Sequence, residues 1–256
     1  MSVVDVITDL RKNVSPGFVY DEDRAKRLRK EKIRELNSRI NEAIMRNEKA
    51  KGNLMYSMIP PQYQESEFSD LIVNAHNKEL IERMAKYVKN YERMNKGVCL
   101  GGDYGVGKTR IIATTCKKLI ELKNKTVYFA TEQAILEEIK KTFNDDSLDT
   151  AEDVIRRICK HDIIVIDELG TTKNDWELSV IKRIIDGAIN NNRRMFATTN
   201  YSGRELLERW GQTDTNKTPK QVLDRMNEAM HLWSVGGDSF RRKKDKGRGI
   251  VNETFL

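Results

Sequence analysis

The sequence is poor in cysteine and has no long apolar run. Its three cysteines, Cys99, Cys116 and Cys159, are widely spaced, and none belongs to a C-x-x-C pair. An odd number at this spacing predicts reduced thiols and no structural zinc site. No apolar stretch approaches the length of a membrane span, and the first residues, which include Asp5 and Asp9, lack the basic and apolar parts of a signal peptide. We therefore expect a cytoplasmic protein with no membrane partner.

The charge balance is basic without being extreme. The chain of 256 residues carries 46 Lys and Arg against 39 Asp and Glu, a formal charge of +7. Because charged residues make up 33% of the sequence, most of them must lie on solvated faces. The excess is compatible with nucleic-acid binding but does not establish it. The length allows one substantial domain plus an appendage.

A glycine-rich motif organises the chain. Residues 102–109 read GDYGVGKT and fit the pattern G-x-x-x-x-G-K-[ST] of a triphosphate-binding loop. The apolar residues 98–100 predict a buried strand before the loop, and helically spaced apolar residues after it predict a helix, which is the context that the motif requires. Lys108 would reach the β- and γ-phosphates of ATP, and the Thr109 hydroxyl would ligate Mg²⁺. The predicted nucleotide-binding residues of this loop are Gly102, Asp103, Tyr104, Gly105, Val106, Gly107, Lys108, Thr109 and Arg110.

Two later segments predict strands that end in polar residues. The β-branched run 163–166 precedes Asp167 and Glu168, and the segment 195–199 precedes Asn200. Such a run is typical of a parallel strand buried on both faces, and ligands of parallel sheets bind at the carboxyl ends of the strands. Asp167 would therefore hold Mg²⁺, and Glu168 would be the general base that polarises the attacking water. Composition alone leaves Asn200 open between a sensor of the γ-phosphate and an ordinary turn residue.

The N-terminal region has a different pattern. Residues 21–51 are charged and helical in propensity, with no proline or glycine. Their apolar positions form a narrow stripe, which favours a coiled-coil-like partner or, alternatively, a helix packed along its own domain. The stripe consists of Ile33, Leu36, Ile40 and Ala43.

Composition also suggests where the chain divides. The polar segment 53–69 breaks the helical pattern and is interpreted as a linker and lead-in. From residue 203 onwards the chain is polar and helical in pieces, and residues 241–248 form a basic tail. We therefore predict a helical partner-binding region, 1–55, and an ATPase domain with a short lid and the basic tail, 56–256.

The order of these motifs resembles that of the AAA+ ATPases. More narrowly, it is similar to the bacterial DnaC/DnaI-type replicative helicase loaders and their relative, the IstB transposase helper. The resemblance covers about residues 59–241 and rests on the motifs above together with IPPQY at 59–63, TTNY at 198–201, DRM at 224–226 and GDSFR at 237–241. It implies an α/β fold of the AAA+ P-loop type, with a parallel sheet sandwiched by helices, a helical N-terminal extension and a short C-terminal lid.

The resemblance also implies roles for individual residues. Asn200 matches the first sensor of the family. Arg225 matches the arginine that reaches the γ-phosphate bound by a neighbouring subunit, where its charge supports the transition state. Arg241 matches the second sensor, which contacts the γ-phosphate within its own subunit.

A possible DNA contact lies near the middle of the chain. Phe143 follows Lys140 and Lys141 in the segment where this family binds single-stranded DNA. A flat ring beside cations suits base stacking together with phosphate attraction. An ordinary core aromatic is an equally good interpretation of Phe143.

The implied function is that of an Mg²⁺-dependent, DNA-modulated ATPase that loads a hexameric, DnaB-type replicative helicase onto single-stranded DNA. Its subunits would assemble into an ATP-dependent spiral or ring. The protein would act in a bacterial cytoplasm and be encoded by the bacterium itself, by a phage or by a plasmid. Two alternatives are an IstB-like transposase helper that binds duplex DNA and a non-enzymatic DNA-binding module with a vestigial nucleotide site. The complete set of Lys108, Asp167 and Glu168 argues against the last.

Overall fold

The computed structural model describes residues 22–144, 148–237 and 239–240. The chain divides into two compact units, Met1–Arg46 and Asn47–Leu256. The functional division predicted after residue 55 stays a prediction. Among the described residues, no helix combines the length and the apolar character needed to cross a membrane.

Helix α1, Glu22–Met55, is the long helix that the charged N-terminal composition predicts. In the first unit its apolar stripe is open to solvent in the described chain. Ile33 is 57% exposed, Leu36 54% and Ile40 47%. Because these side chains gain nothing from burial here, the stripe is an unpartnered apolar surface of the first unit.

The second unit is built on a parallel sheet. Within its described residues the strand order is β2-β3-β4-β1-β5, and every neighbouring pair is parallel. Parallel neighbours require crossover connections, which the intervening helices supply. The strands are β1 (Gly97–Gly101), β2 (Val127–Thr131), β3 (Ile163–Leu169), β4 (Arg194–Thr199) and β5 (Met230–Ser234).

Four of the described helices after α1 begin at a capping side chain, namely Thr131, Thr150, Asn174 or Ser202. Thr131 accepts the N–H of Ala134, and Thr150 and Ser202 open capping boxes with Asp153 and Glu205. The described helices after α1 are α2 (Pro61–Gln64), α3 (Lys78–Lys89), α4 (Lys108–Lys123), α5 (Glu132–Lys141), α6 (Ala151–Ile158), α7 (Asp175–Asn190), α8 (Gly203–Arg209) and α9 (Thr218–Ala229), with short 3₁₀ turns at Phe68–Asp70 and Tyr91–Arg93.

Both faces of the sheet are covered. Because side chains alternate along a strand, Ile163 and Val165 of β3 join one hydrophobic cluster with residues of α3 and α4. Ile164 and Ile166 join a second cluster with residues of α5, α6, α7 and α9. The predicted sheet sandwiched by helices is therefore confirmed, and the run of β-branched residues in β3 is buried on both faces as expected.

Two sequence-based expectations are wrong. Residues 230–234 were expected to belong to a polar, helical stretch but form β5, which pairs with β1. The segment 53–69 is packed rather than a free linker, since Ile59 is 1% exposed and Ser66 is 5% exposed. Ser66 accepts hydrogen bonds from Arg110 at 3.2 Å and from Thr114 at 3.0 Å, which attach the segment to α4.

The three cysteines are free thiols, as predicted, and all three are buried. Burial raises the pKa of the Cys99 thiol to about 12, and it raises that of Cys159 to about 11. Such thiols stay protonated and unreactive, so they serve as small apolar core residues.

Candidate nucleotide-binding site

The loop between β1 and α4 has a backbone that only glycine tolerates. Gly102, Gly105 and Gly107 have φ values of 145°, 82° and 92°. A Cβ on Gly102 would lie 2.1 Å from the carbonyl oxygen of Val235, and one on Gly105 would lie 2.2 Å from the hydroxyl of Ser239. Such a turn directs successive N–H groups into a concave cradle at the start of α4, where the helix dipole adds positive character. The cradle fits phosphate oxygens.

Lys108 occupies the inner end of this cradle. Its side chain is buried, and its Nζ donates to the carbonyl oxygens of Gly102 at 2.7 Å and Asp103 at 2.8 Å. It also donates to Oδ1 of Asn200 at 2.6 Å. The ammonium thus lies between the glycine loop and the end of β4, with all three of its N–H groups engaged. It meets the terminal phosphates of a nucleotide by exchanging these acceptors for phosphate oxygens.

Asp167 lies beside the start of α4. It is 5% exposed, and its Oδ1 accepts hydrogen bonds from Thr109 Oγ1 at 3.0 Å and from Thr198 Oγ1. A carboxylate next to a threonine hydroxyl is a hard oxygen donor set of the kind that Mg²⁺ prefers. Thr109 and Asp167, predicted separately as metal ligands, therefore lie in direct contact.

Glu168 is held in an unusual conformation. Its φ is 57°, and the pairing of β3 with β4 shifts register between Ile166 and Leu169. Its N–H donates to Thr198 Oγ1 at 3.0 Å, while its carboxylate is exposed at the wall of the cavity. A left-handed non-glycine residue costs about 1–3 kcal/mol and is typical of functional sites. The strain turns the Glu168 side chain out of the sheet while Asp167 stays buried.

A cavity of about 640 Å³ opens over the glycine loop. Its size suits a nucleotide-sized ligand. One wall consists of the loop residues with Glu168, Thr198 and Asn200. A second wall consists of Tyr63, Leu71, Ile72, Val73, Asn74, Asn77 and Ile81, with Phe240 as a further lining residue. Of these, only Tyr63 and Phe240 belong to motifs that the sequence indicated, at 59–63 and 237–241, and neither was assigned to the nucleotide site.

The second wall is fixed by an asparagine network. Asn77 is 2% exposed, and its Oδ1 accepts the N–H of Asn74 at 2.8 Å. Its Nδ2 donates to the carbonyl of Ile72 at 2.8 Å. This network holds the apolar Ile72 and Val73 beside the cavity, where they can contact a flat base. The apolar run at 71–73 just before α3 was the available sequence signal for this wall.

The described residues fit ATP with Mg²⁺. The glycine cradle and Lys108 provide for phosphates, Thr109 and Asp167 for the cation, and the 63–81 wall for the base. The asparagine predicted as a sensor, Asn200, has its side chain in this site, although its sensor role stays a prediction. Arg110 also lines the cavity.

Of the two arginines predicted by resemblance, Arg225 is not among the described residues that line the cavity. Arg225 lies on α9, 45% exposed, and pairs with Asp186 at 3.1 Å and Glu228 at 2.6 Å. Its hydrogen bond to Glu228 and the charge of Asp186 raise the pKa of this guanidinium above its usual range. Arg241 lies outside the described residues. A role for Arg225 at a neighbouring subunit stays a prediction.

The predicted DNA-contact residues form an exposed group at the end of α5. Phe143 is 58% exposed, so its interpretation as a core aromatic is wrong. Its ring meets Trp176 edge to face at 5.3 Å between centroids, and Trp176 is itself 38% exposed. Lys140 pairs with Glu177 at 2.6 Å, and Lys141 is exposed. Sequence analysis missed Trp176, which lies far from Phe143 along the chain.

The sequence matches one protein family over most of its length. Residues 35–247 match the family described as IstB-like ATP binding protein. The chain belongs to this family. The resemblance predicted from the motif order, to the DnaC/DnaI type and its IstB relative, is confirmed, and this chain is an AAA+ nucleotide-binding protein.

Individual proteins are also similar to this chain. The replicative helicase loader DnaC of Buchnera aphidicola subsp. Baizongia pistaciae is 26% identical over 211 residues, covering 79% of this chain and 81% of that protein. A crystal structure of the DnaC helicase loader matches with a TM-score of 0.59 at 22% identity, over 69% of this chain and 100% of that one. AMPPCP-bound DnaA from Aquifex aeolicus matches with a TM-score of 0.58 at 12% identity, over 77% of this chain and 58% of that one. At these identities the two solved structures establish the fold alone.

Proposed function

We propose that this protein is an ATP-dependent loader that places a hexameric, DnaB-type replicative helicase on single-stranded DNA. The observation that carries the proposal is the joint presence of two features. One is a cavity lined by phosphate-binding, metal-binding and general-base residues, and the other is an exposed aromatic pair beside cations. The curated relative named a replicative helicase loader supports the same assignment. The setting would be a bacterial cytoplasm, with the gene carried by the host, a phage or a plasmid.

The ATPase chemistry follows from the positions of the chain's own side chains. Lys108 and the loop N–H groups bind the phosphates, and Asn200 orients Lys108 through its 2.6 Å hydrogen bond. Glu168, exposed at the cavity wall, takes the proton of the attacking water as general base. When bound by Thr109 and Asp167, Mg²⁺ supplies neutralising charge at the phosphates.

Assembly would complete the site from outside. Arg225 is exposed on α9, where Asp186 and Glu228 hold its guanidinium. In a spiral or ring of subunits this cation would serve the nucleotide of the adjoining copy, as its position in the family motif implies. The exposed α1 stripe of Ile33, Leu36 and Ile40 would engage the helicase.

The DNA surface would be the Phe143–Trp176 pair with Lys140 and Lys141. Exposed rings offer faces for stacking of unpaired bases, and such stacking contributes about 1–3 kcal/mol per base without selecting a sequence. The lysines attract the phosphate backbone. DNA on this surface would modulate ATP turnover.

The decisive experiment is helicase capture and transfer. The full-length chain should retain a purified DnaB-type hexamer on an affinity matrix, and deletion of residues 1–46, the first unit, should abolish retention. With ATP and Mg²⁺, the full-length chain should transfer the hexamer to circular single-stranded DNA, measured as DNA-bound helicase after gel filtration. If neither the full-length nor the truncated chain retains any of a panel of bacterial helicase hexamers, the loader proposal is wrong.

The family match favours one second candidate, an IstB-like transposase helper that acts on duplex DNA. Both candidates use the same nucleotide site, so ATP hydrolysis does not separate them. A salt titration of DNA affinity does, because a loader should prefer single strands at every ionic strength and a helper should prefer duplex.

A further inference from the structure

A buried acid lies at the junction of β2 and α5. Glu132, the first residue of α5, is 0% exposed. Its Oε2 accepts hydrogen bonds from the N–H of Gly170 at 2.8 Å, from the N–H of Thr171 at 2.7 Å and from the Thr171 hydroxyl at 2.8 Å. A single carboxylate oxygen thus gathers the donors of the loop that follows β3.

Burial makes this carboxylate expensive, so its presence needs a reason. Burial raises the pKa of Glu132, and hydrogen bonds from Thr171, Gly170 and Thr172 oppose that rise. Packing alone would be served as well by an apolar side chain, which carries no desolvation penalty. What an apolar side chain does not provide is a fixed acceptor for consecutive backbone N–H groups. The carboxylate therefore serves the geometry of the loop.

The loop begins directly after Glu168. Gly170 has a φ of 98°, and a Cβ there would lie 2.3 Å from Leu206 Cδ2. On the opposite side of the same residue, its carbonyl accepts a hydrogen bond from Arg209 Nε at 3.1 Å. Thr198 fixes the N–H of Glu168, and Glu132 fixes the backbone after it. The strained Glu168 is therefore anchored on both sides along the chain.

The other end of the loop reaches the aromatic surface. Thr172 Oγ1 donates to Glu177, which pairs with Lys140 at 2.6 Å. Next to Glu177 is Trp176, whose ring meets Phe143. Glu132 and Lys140 belong to the same helix, α5, so this helix holds the loop at the Glu168 end and again at the aromatic end.

We propose that Glu132 is a positioning residue that holds the loop after Glu168 against α5 and thereby couples ligand binding at Phe143–Trp176 to the nucleotide site. This inference rests on the proposed ATPase and DNA-binding function. A ligand that moves Trp176 or the end of α5 would act on Glu168 through a loop clamped at both ends, which is a physical connection rather than mere proximity.

The test uses the full-length protein with Glu132→Ala and a matched control, Glu137→Ala, which removes an exposed acid from the same helix. Glu132→Ala should lower kcat for ATP about tenfold or more, because small displacements of a reacting group are costly, while the affinity for a fluorescent ATP analogue changes less than about twofold. Stimulation of turnover by single-stranded DNA should disappear. Glu137→Ala should match the wild type in each respect.

Amide hydrogen exchange gives a readout independent of turnover. In Glu132→Ala the amides of Gly170 and Thr171 should exchange at least about tenfold faster than in the wild type, with the strands unchanged. Glu132→Gln keeps an acceptor oxygen and should restore slow exchange and most of kcat. If Glu132→Ala leaves exchange at 170–171 and kcat unaltered, the inference is wrong.

A double mutant separates positioning from general destabilisation. Since Glu132 acts through Glu168, adding Glu132→Ala to Glu168→Gln should lower the residual turnover no further. A further loss of turnover in the double mutant would overturn the positioning role. So would a loss of ATP affinity in Glu132→Ala as large as its loss of kcat. A wild-type protein that binds neither ATP nor single-stranded DNA would refute the proposed function. Intact DNA stimulation in Glu132→Ala would refute only this inference.

Discussion

The nucleotide cavity and the Phe143–Trp176 surface differ in how far their side chains already have partners without a ligand. In the cavity Lys108 and Asp167 already have fixed partners within the chain, which for Lys108 are Gly102, Asp103 and Asn200. On the surface, Phe143 leaves 58% of its area in water. The cavity is therefore organised before its ligand arrives, whereas the surface lacks contacts that its ligand must supply. Substitutions in the cavity should therefore abolish ATP binding or turnover, whereas substitutions on the surface should only weaken DNA binding.

The largest effect is expected from Lys108→Ala. The ammonium is the cation of the glycine loop, and its loss removes charge-assisted hydrogen bonds to phosphate from a buried site. We expect affinity for a fluorescent ATP analogue to fall about 100-fold or more, since two such bonds contribute about 1.5–3 kcal/mol each.

The matched control is Lys123→Ala, which removes a cation from the last turn of the same helix. It should bind the analogue like the wild type. Retention of wild-type ATP affinity in Lys108→Ala would show that this cavity is not the ATP-binding site.

Glu168→Gln should separate binding from chemistry within the cavity. The amide keeps the shape of the side chain but has no basicity, and general-base catalysis contributes about 10²–10⁴-fold. Steady-state turnover should fall by about that range while ATP affinity is kept, as measured by phosphate release and by analogue binding. If Glu168→Gln turns over ATP at the wild-type rate, the general base is another group.

Much of the cavity could be predicted because its determinants are local in sequence. The glycine loop, the acids after β3 and the asparagine after β4 each follow a recognisable strand, and parallel strands bring their ends to one edge. Lys108 and Asn200 lie 2.6 Å apart although they are far apart along the chain. The parallel topology brings them together, whereas composition alone left Asn200 open and only the family resemblance assigned it to the nucleotide site.

The base wall and β5 were missed for a physical reason. The 63–81 wall has no charged or glycine motif, and its apolar residues lack a regular period. Strand β5 has exposed His231, Leu232 and Ser234, so neither alternation nor a buried run marks it. Trp176 could not be assigned to the DNA surface because only tertiary structure brings its ring to Phe143.

Single substitutions on the aromatic surface should weaken DNA binding without abolishing it. Phe143→Ala removes one stacking face and should weaken single-stranded DNA binding about tenfold, within the 1–3 kcal/mol range for one base, while ATP affinity stays unchanged. Trp176→Ala should have a similar effect, and Phe143→Tyr should keep most of the affinity. Fluorescence anisotropy with a labelled oligonucleotide measures all of them. Unchanged DNA affinity in both alanine variants would move the DNA site elsewhere.

The smallest effect concerns how the base wall is attached. Lys117, 5% exposed on α4, pairs with Glu67 at 2.6 Å, and Lys118 pairs with the same carboxylate at 2.5 Å. Hydrogen bonds from these lysines hold the pKa of Glu67 below its ordinary value of 4.5. A lowered pKa stabilises the fold above the unfolded-state value, and this stabilisation is lost as the pH falls through the folded-state value.

Glu67→Gln should therefore lower the free energy of unfolding at pH 7 by about 1 kcal/mol, a modest loss because Glu67 is partly solvated and screened. Urea unfolding should show this difference from pH 7 down to about 4.5, the ordinary pKa of the carboxyl, and its decline below that pH as the wild-type side chain takes up its proton. Glu79→Gln, which breaks the exposed pair with Arg83, is the control and should change stability less. A Glu67→Gln difference that persists unchanged at pH 3.5 would show that packing rather than charge attaches the wall. The preorganisation of the cavity would then owe nothing to this ion pair, and the contrast with the solvent-exposed aromatic surface would rest on the glycine loop and the asparagine network alone.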